Sequence, residues 1–211
     1  MTDDHGGSYA PQRGNAERDD NRGHQPGTIR AMLARRLEYL SFGQDDADLL
    51  HSLQPVVQQH SDDIVRAFYE HLIAFETTRN LLHDEATMNR LVEAQKRHVV
   101  ELFGGVYDER YAERRLVVGK THDRVGLEPS WYLGPYHLYQ RVLFPIVTEY
   151  LAEGGASHGE VTEALLAITK VMTLDIDLAL ESYFGAYSDA LRQEKERLEC
   201  WPGSCRAATT R

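Results

Sequence analysis

The chain has 211 residues, 42% hydrophobic and 27% charged, enough for one packed core and unlike a wholly disordered polypeptide. Its formal net charge of −10 excludes a general nucleic-acid binder, because neutralising phosphates requires a basic face. No apolar run reaches the roughly 18 residues of a membrane span. The two cysteines, Cys200 and Cys205, fall at the far end of the chain, so no disulfide framework holds the core.

Residues 1–28 are rich in Gly, Asp, Arg, Asn and Gln and nearly empty of aliphatics, which predicts a disordered leader with His5 and His24 as surface decoration. The leader lacks the apolar stretch of a signal peptide, so a cytoplasmic location is expected. From Thr28 the pattern turns helical. Ile29, Met32, Leu33, Leu37 and Leu40 recur at spacings of three and four, the stripe of an amphipathic helix. A second helix is expected over 44–59, with Leu49, Leu50, Leu53, Val56 and Val57. Ser61 reads as the N-cap of a third, with Asp62 and Asp63 in its first turn and Ile64, Val65, Phe68, Tyr69, Leu72 and Ile73 along it. Further helices are expected over 87–103, 108–125, 130–154 and 157–198, broken by glycine and proline. The last would exceed about 50 Å at 1.5 Å per residue. Residues 200–211 read as an unstructured tail or a truncated linker. Nothing alternates as strands do, so the fold class is all-α; periodicity alone leaves a bundle and a globin both open.

Ten histidines invite a search for chemistry. His51, His60, His71, His83 and His158 lie in polar or terminal contexts and read as surface residues. His98 stands in Lys96-Arg97-His98-Val99-Val100, and His137 in a tyrosine-rich helix. His122 differs, because Val117, Val118 and Val125 make one side of its helix apolar. A neutral imidazole entering a dry pocket is what a five-coordinate haem iron takes on one side. No His-Glu-x-x-His or Cys-x-x-Cys pattern, phosphate-cradling glycine loop, Gly-x-Ser-x-Gly elbow or Ser-x-x-Lys pair supports a hydrolase or nucleotide enzyme. Read from residues alone, the chain is a helical domain with one candidate haem histidine.

Three stretches carry more. Ala67-Phe68-Tyr69-Glu70-His71-Leu72, Lys96-Arg97-His98 followed by Phe103, and His122-Asp123-Arg124-Val125-Gly126-Leu127 running through Pro129 to Trp131-Tyr132-Leu133-Gly134 together resemble the globin-coupled sensor family. The resemblance spans roughly residues 30–198, and Tyr69 and His122 stand 53 residues apart, as a distal tyrosine and proximal histidine do in that family. It implies a globin-like helical sandwich with an extra N-terminal helix and a long C-terminal exit helix, the globin domain covering 29–199. Haem b would be held by His122, with Tyr69 on the distal side and Leu91 and Ala94 along the distal wall. Where many relatives carry a larger or hydroxyl-bearing residue, Ala94 shortens that wall.

The implied function is an O₂ sensor, with CO and NO as further ligands, working as a homodimer through the last two long helices. It would signal to an output domain in cis that this chain does not contain. Leu133, Tyr136, Tyr139, Val142 and Leu143 suit either a dimer face or an internal core. Two other readings stand beside it: a single-domain globin with nitric oxide dioxygenase-type activity, which needs an outside electron donor, and a helical scaffold that binds no cofactor. Cys200 and Cys205 are too isolated to argue for a metal site.

Overall fold

The computed structural model describes residues 26–82 and 84–199. The elements in chain order are α1 (Pro26–Tyr39), α2 (Gln44–Gln59), α3 (Ser61–Leu72), α4 (Glu76–Arg79), α5 (Glu85–Glu101), α6 (Glu109–Arg124), α7 (Pro129–Leu133), α8 (Tyr136–Glu153) and α9 (His158–Glu199); among the described residues there is no strand. The expected all-α class is present, including the extra first helix and the long last one. The expectations for Cys200, Cys205, the tail and most of the leader lie outside the described residues. α1 opens at Pro26, inside the stretch read as leader, because proline is pre-set for a first helical turn.

Local chemistry sets most of the boundaries. Asp84 accepts from the Thr87 backbone N–H at 2.7 Å and Asp108 from that of Tyr111 at 2.9 Å, capping α5 and α6. Ser157 and Glu160 form a reciprocal capping box at the start of α9. Ser61 does not cap α3. It is the first helical residue, and its hydroxyl turns back to donate to the Gln58 carbonyl at 2.9 Å, leaving His60 at the cap position without a side-chain bond. The single helix expected over 130–154 is two, α7 and α8, since Pro135 has no N–H to carry the hydrogen-bond ladder across the Gly134–Pro135 step.

α9 is the spine. One set of its residues (Ala164, Ala167, Ile168, Val171, Met172, Ala179 and Tyr183) enters the main core with residues of α2, α3, α5, α7 and α8. Leu174 and Leu178 enter a second cluster with Ile29, Met32 and Leu33 of α1 and Tyr111, Ala112 and Leu116 of α6. α6 packs most extensively on α9, and α1 is further fixed to α9 by Arg36, which donates to Asp177 and, at 2.8 Å, to Glu181. Beyond Tyr183 the spine leaves the core: Phe184, Tyr187 and Leu191 are 66%, 67% and 54% exposed.

Tyr136, Tyr139 and Leu143 are buried within the monomer. Of the two readings left open for them, internal core is the correct one, and they are unavailable to a partner.

Candidate functional site

α5 and α6 carry most of the residues singled out by sequence, and they do not pack along one another. α5 lies on α3 and α2, while α6 lies on α9 and α1. The two are tied where Arg115 of α6 donates to His98 of α5 and, at 2.6 Å, to Glu101. Away from that junction Ala94 is exposed and Leu91 half-buried on α5. Of the three valines flanking His122, Val118 alone turns inward; Val117 and Val125 are mostly exposed. The apolar side expected around His122 is therefore narrower than the sequence implied, because the helix end carrying Val125 projects past the core.

His122 sits in the last turn of α6, and the end of that turn is rigidly made. Gly126 adopts φ +75°, its N–H donates to the Asp123 carbonyl at 2.9 Å, and the Leu127 N–H donates to the His122 carbonyl at 3.0 Å. This is a Schellman closure, which needs a residue at ease in the left-handed region. It accounts for the Val-Gly-Leu run after the histidine. The imidazole is half-buried, with the Tyr132 ring 5.0 Å away. Its Nδ1 lies 2.8 Å from the Val118 carbonyl oxygen. A carbonyl only accepts, so Nδ1 carries the proton and the Nε2 lone pair is left uncommitted. Burial lowers the ring's pKa, with the Val118 bond opposing in part, so the ring is neutral near pH 7.

Tyr69 of α3 is buried, and its hydroxyl makes no hydrogen bond among the described residues. Unlike the Tyr183 hydroxyl, it is not sealed in the core: it borders a groove between α3 and α5. Desolvation pushes its pKa up to about 12, so the phenol is protonated and able to donate. Its ring lines that groove, of about 440 Å³, with Val65, Ile73, Met88 and Val92 as apolar lining and Lys96 at the edge. Lys96 bridges the groove by pairing with Asp62 at 2.6 Å.

The two candidate residues are joined by one aromatic seam. From His122 it runs through Tyr132 and Tyr136 (ring centroids 5.7 Å apart) to Tyr139 (5.9 Å), then to Phe68 (stacked, 5.0 Å) and Tyr69 (edge-on, 5.3 Å). The ring contacts thus link His122 to Tyr69, whereas Leu91 and Ala94 of α5 do not line the groove beside Tyr69.

His98, left without a role by the sequence, belongs to a buried polar centre. Arginine only donates, so Nδ1 of His98 accepts from Arg115 and its Nε2–H faces Asp175 at 3.4 Å. Nδ1 is thus taken by a hydrogen bond, and Nε2 is turned into the core toward a carboxylate. Asp175, fully buried on α9, also accepts from Tyr111 at 2.9 Å and from Tyr136. Sequence reasoning missed this centre. Its signal was a single acid between Val171, Leu174 and Leu178 at core spacing, and Arg115 at the same kind of position between Ala112 and Gly119.

The sequence profile of the protoglobin family matches residues 30–189. The chain belongs to the protoglobin family. It is 32% identical over 174 residues to the heme-based aerotactic transducer HemAT of Halobacterium salinarum, an alignment covering 80% of this chain and 36% of that protein. This protoglobin thus spans about a third of the length of that relative. In fold it is similar to the globin domain of a Geobacter sulfurreducens globin-coupled sensor, with a TM-score of 0.66, 23% identity, and coverage of 71% of this chain and 96% of that one. The globin domain of E. coli DosC in a ferrous form gives a TM-score of 0.59 at 14% identity, covering 71% and 97%. The resemblance carried by the Tyr69, Lys96 and His122 segments therefore holds. Among the described residues no helix is long and apolar enough to cross a membrane.

Proposed function

We propose that this protoglobin is a haem-based sensor module that binds O₂ reversibly at ferrous haem b, held by His122. The observation that carries the reading is the state of that imidazole: neutral, oriented by its Nδ1–H bond to Val118, and with Nε2 free. A histidine fixed by one hydrogen bond is the form in which an iron takes it as an axial ligand. The donor chemistry therefore fits the group. When bound, haem supplies a ferrous site for O₂, CO or NO.

The residues opposite suit that ligand. Tyr69 offers a protonated hydroxyl with no acceptor among the described residues, and the apolar lining beside it comes from Val65, Ile73, Met88 and Val92, with Leu91 half-buried and Ala94 exposed on the same helix α5. Bound O₂ draws more negative charge than CO, so a phenol donor favours O₂. The relative named as an aerotactic transducer supports sensing over catalysis, and its greater length supports an output segment joined in cis. A homodimer is supported by the exposed apolar face that α9 carries at Phe184, Tyr187 and Leu191.

Haem titration of the purified protein tests the reading. We expect a Soret band in the wild type, its loss in His122→Ala, and its retention in His98→Ala, because Nδ1 of His98 accepts from Arg115 and its Nε2–H is turned toward buried Asp175. A wild-type protein that acquires no Soret band refutes the proposal, and retention in His122→Ala moves the ligand elsewhere.

A further inference from the structure

Among the described residues, Asp175 is the carboxylate with no exposure at all, and it lies on α9 where the two hydrophobic clusters meet. Four donors from three other helices converge on it. Tyr111 of α6 donates to Oδ1 at 2.9 Å and Tyr136 of α8 donates to Oδ2. Arg115 of α6 approaches Oδ1 at 3.5 Å, and the Nε2–H of His98 on α5 faces Oδ2 at 3.4 Å. A carboxylate has about four acceptor sites, and all are faced by donors.

Stability does not account for such a centre. Burying charge costs desolvation, and well-packed apolar residues in place of a buried ion pair are often as stable or more so. Such a group is better explained by geometry it imposes. Two lines of contact end on Asp175. One runs from α5 through His98, with Arg115 bridging it to α6 and Glu101. The other runs from His122 through the Tyr132 ring to the Tyr132 hydroxyl, 3.0 Å from that of Tyr136, and so to Oδ2. α5 and α6 have no other extended contact, so this junction sets their separation.

We propose that Asp175 is a positioning residue that fixes α5 and the Tyr132–His122 contact against α9, and delivers movement of either to that helix. This rests on the reading of His122 as the haem ligand. Oδ2 receives one line and both oxygens share the other, so displacement of His122 or of α5 pulls on the same carboxylate. α9 is also the helix that continues past the core. Asparagine at this position keeps the volume but turns one acceptor into a donor facing donors. Asp175→Asn therefore breaks at least one line without opening a cavity.

The test uses the full-length, haem-loaded protein with two readouts: the ferrous iron–histidine stretching band, and hydrogen exchange of α9 amides beyond Tyr183 with and without CO. In the wild type we expect CO to change α9 exchange. In Asp175→Asn the Soret band should remain, the stretching band should shift, and the CO-dependent exchange difference should be lost. Ser182→Ala is the control, since it removes a different buried α6–α9 bond, that to the Leu116 carbonyl at 2.7 Å. It should lower thermal stability and keep both readouts.

If Asp175→Asn does not fold, Tyr136→Phe, which removes one hydroxyl, is expected to shift the band and weaken the exchange difference. The proposal is overturned if these variants keep the wild-type band and CO response, if Ser182→Ala loses them equally, or if wild-type α9 is indifferent to CO. Absence of a Soret band in the wild type overturns the haem reading and this one together, whereas a normal Soret band with unchanged readouts overturns this one alone.

Discussion

Gly119 of α6 meets Ala179 of α9 so closely that a β-carbon on the glycine would overlap the Ala179 carbonyl oxygen and come within 3.0 Å of the Ser182 β-carbon. The obstacle is backbone, which cannot swing aside. This contact seats the helix of His122 on the spine, three residues before the histidine.

Gly119→Ala should therefore force α6 away from α9. Overpacking of this kind costs about 1–3 kcal/mol, which for a chain of this size lowers Tm by several degrees. Because His122 rides on the same turn, the Soret band should move or weaken as well. Calorimetry together with haem titration checks both effects. An unchanged Tm would mean the two helices separate freely and that the glycine is incidental.

Tyr69→Phe isolates a hydrogen bond from packing. A bond to a charged acceptor is worth roughly 1.5–3 kcal/mol, so the O₂ off-rate should rise about ten- to hundredfold, while CO dissociation changes much less. The hydroxyl has no partner among the described residues, so stability should hold or rise slightly. Stopped-flow and flash-photolysis rates for both gases decide the matter. Equal acceleration for O₂ and CO would make Tyr69 a steric wall rather than a donor.

Acid should weaken the fold through His98. Burial is the main cause holding its pKa down to about 4, with Arg115 adding to the effect and Asp175 opposing it. An unfolded chain protonates this ring near pH 6.5, and the folded one not until about pH 4. Between those values the unfolded state binds more protons, so its contribution is complete above pH 6.5 and falls as the pH drops towards 4, by roughly 3 kcal/mol. Urea unfolding across that range should show the slope in the wild type and a flatter line in His98→Gln, which keeps an acceptor for Arg115. Identical slopes would place the titration elsewhere.

Assembly should depend on the free end of the spine. Sedimentation at micromolar concentration is expected to give a homodimer for the wild type and a monomer for the double variant Phe184→Glu, Leu191→Glu. Both residues are exposed, so the Soret band should be unaffected. A monomeric wild type in both ferrous and O₂-bound states would remove this interface from the account.

Periodicity made the helices legible wherever one face is apolar and the ends carry ordinary signals. The expected 44–59 segment is α2 residue for residue, and Ile29, Met32 and Leu33 are buried as their spacing required. Sequence erred where a local group had two uses. Ser61 had a backbone carbonyl within reach and took it instead of capping, and the short α4 has too few residues to show a period. His122 stood out by its valine neighbours, two of which prove exposed, while Tyr69 stood out only through a family pattern, since its chemical state depends on neighbours distant in sequence. Asp175 and Arg115 went unread for the same reason. A charge at a core register looks like an error of pattern until the tyrosines and histidine that satisfy it are brought from three other helices.

The portion of α9 beyond Tyr183 has a further consequence. From Phe184 to Arg197 the described side chains face water, held by local pairs such as Arg192 with Asp189 and Arg197 with Glu194. Isolated helices shorter than about 12–15 residues are marginal in water, and surface ion pairs of this kind each add well under about 1 kcal/mol. The outer turns are consequently near the balance point between helix and coil, with the packed stretch at their root serving as the nucleus. Their order is borrowed, from the core on one side and from any partner on the other. A small change in stability at the root then alters how many turns persist, so the length of this helix becomes a variable that records what happens inside the domain.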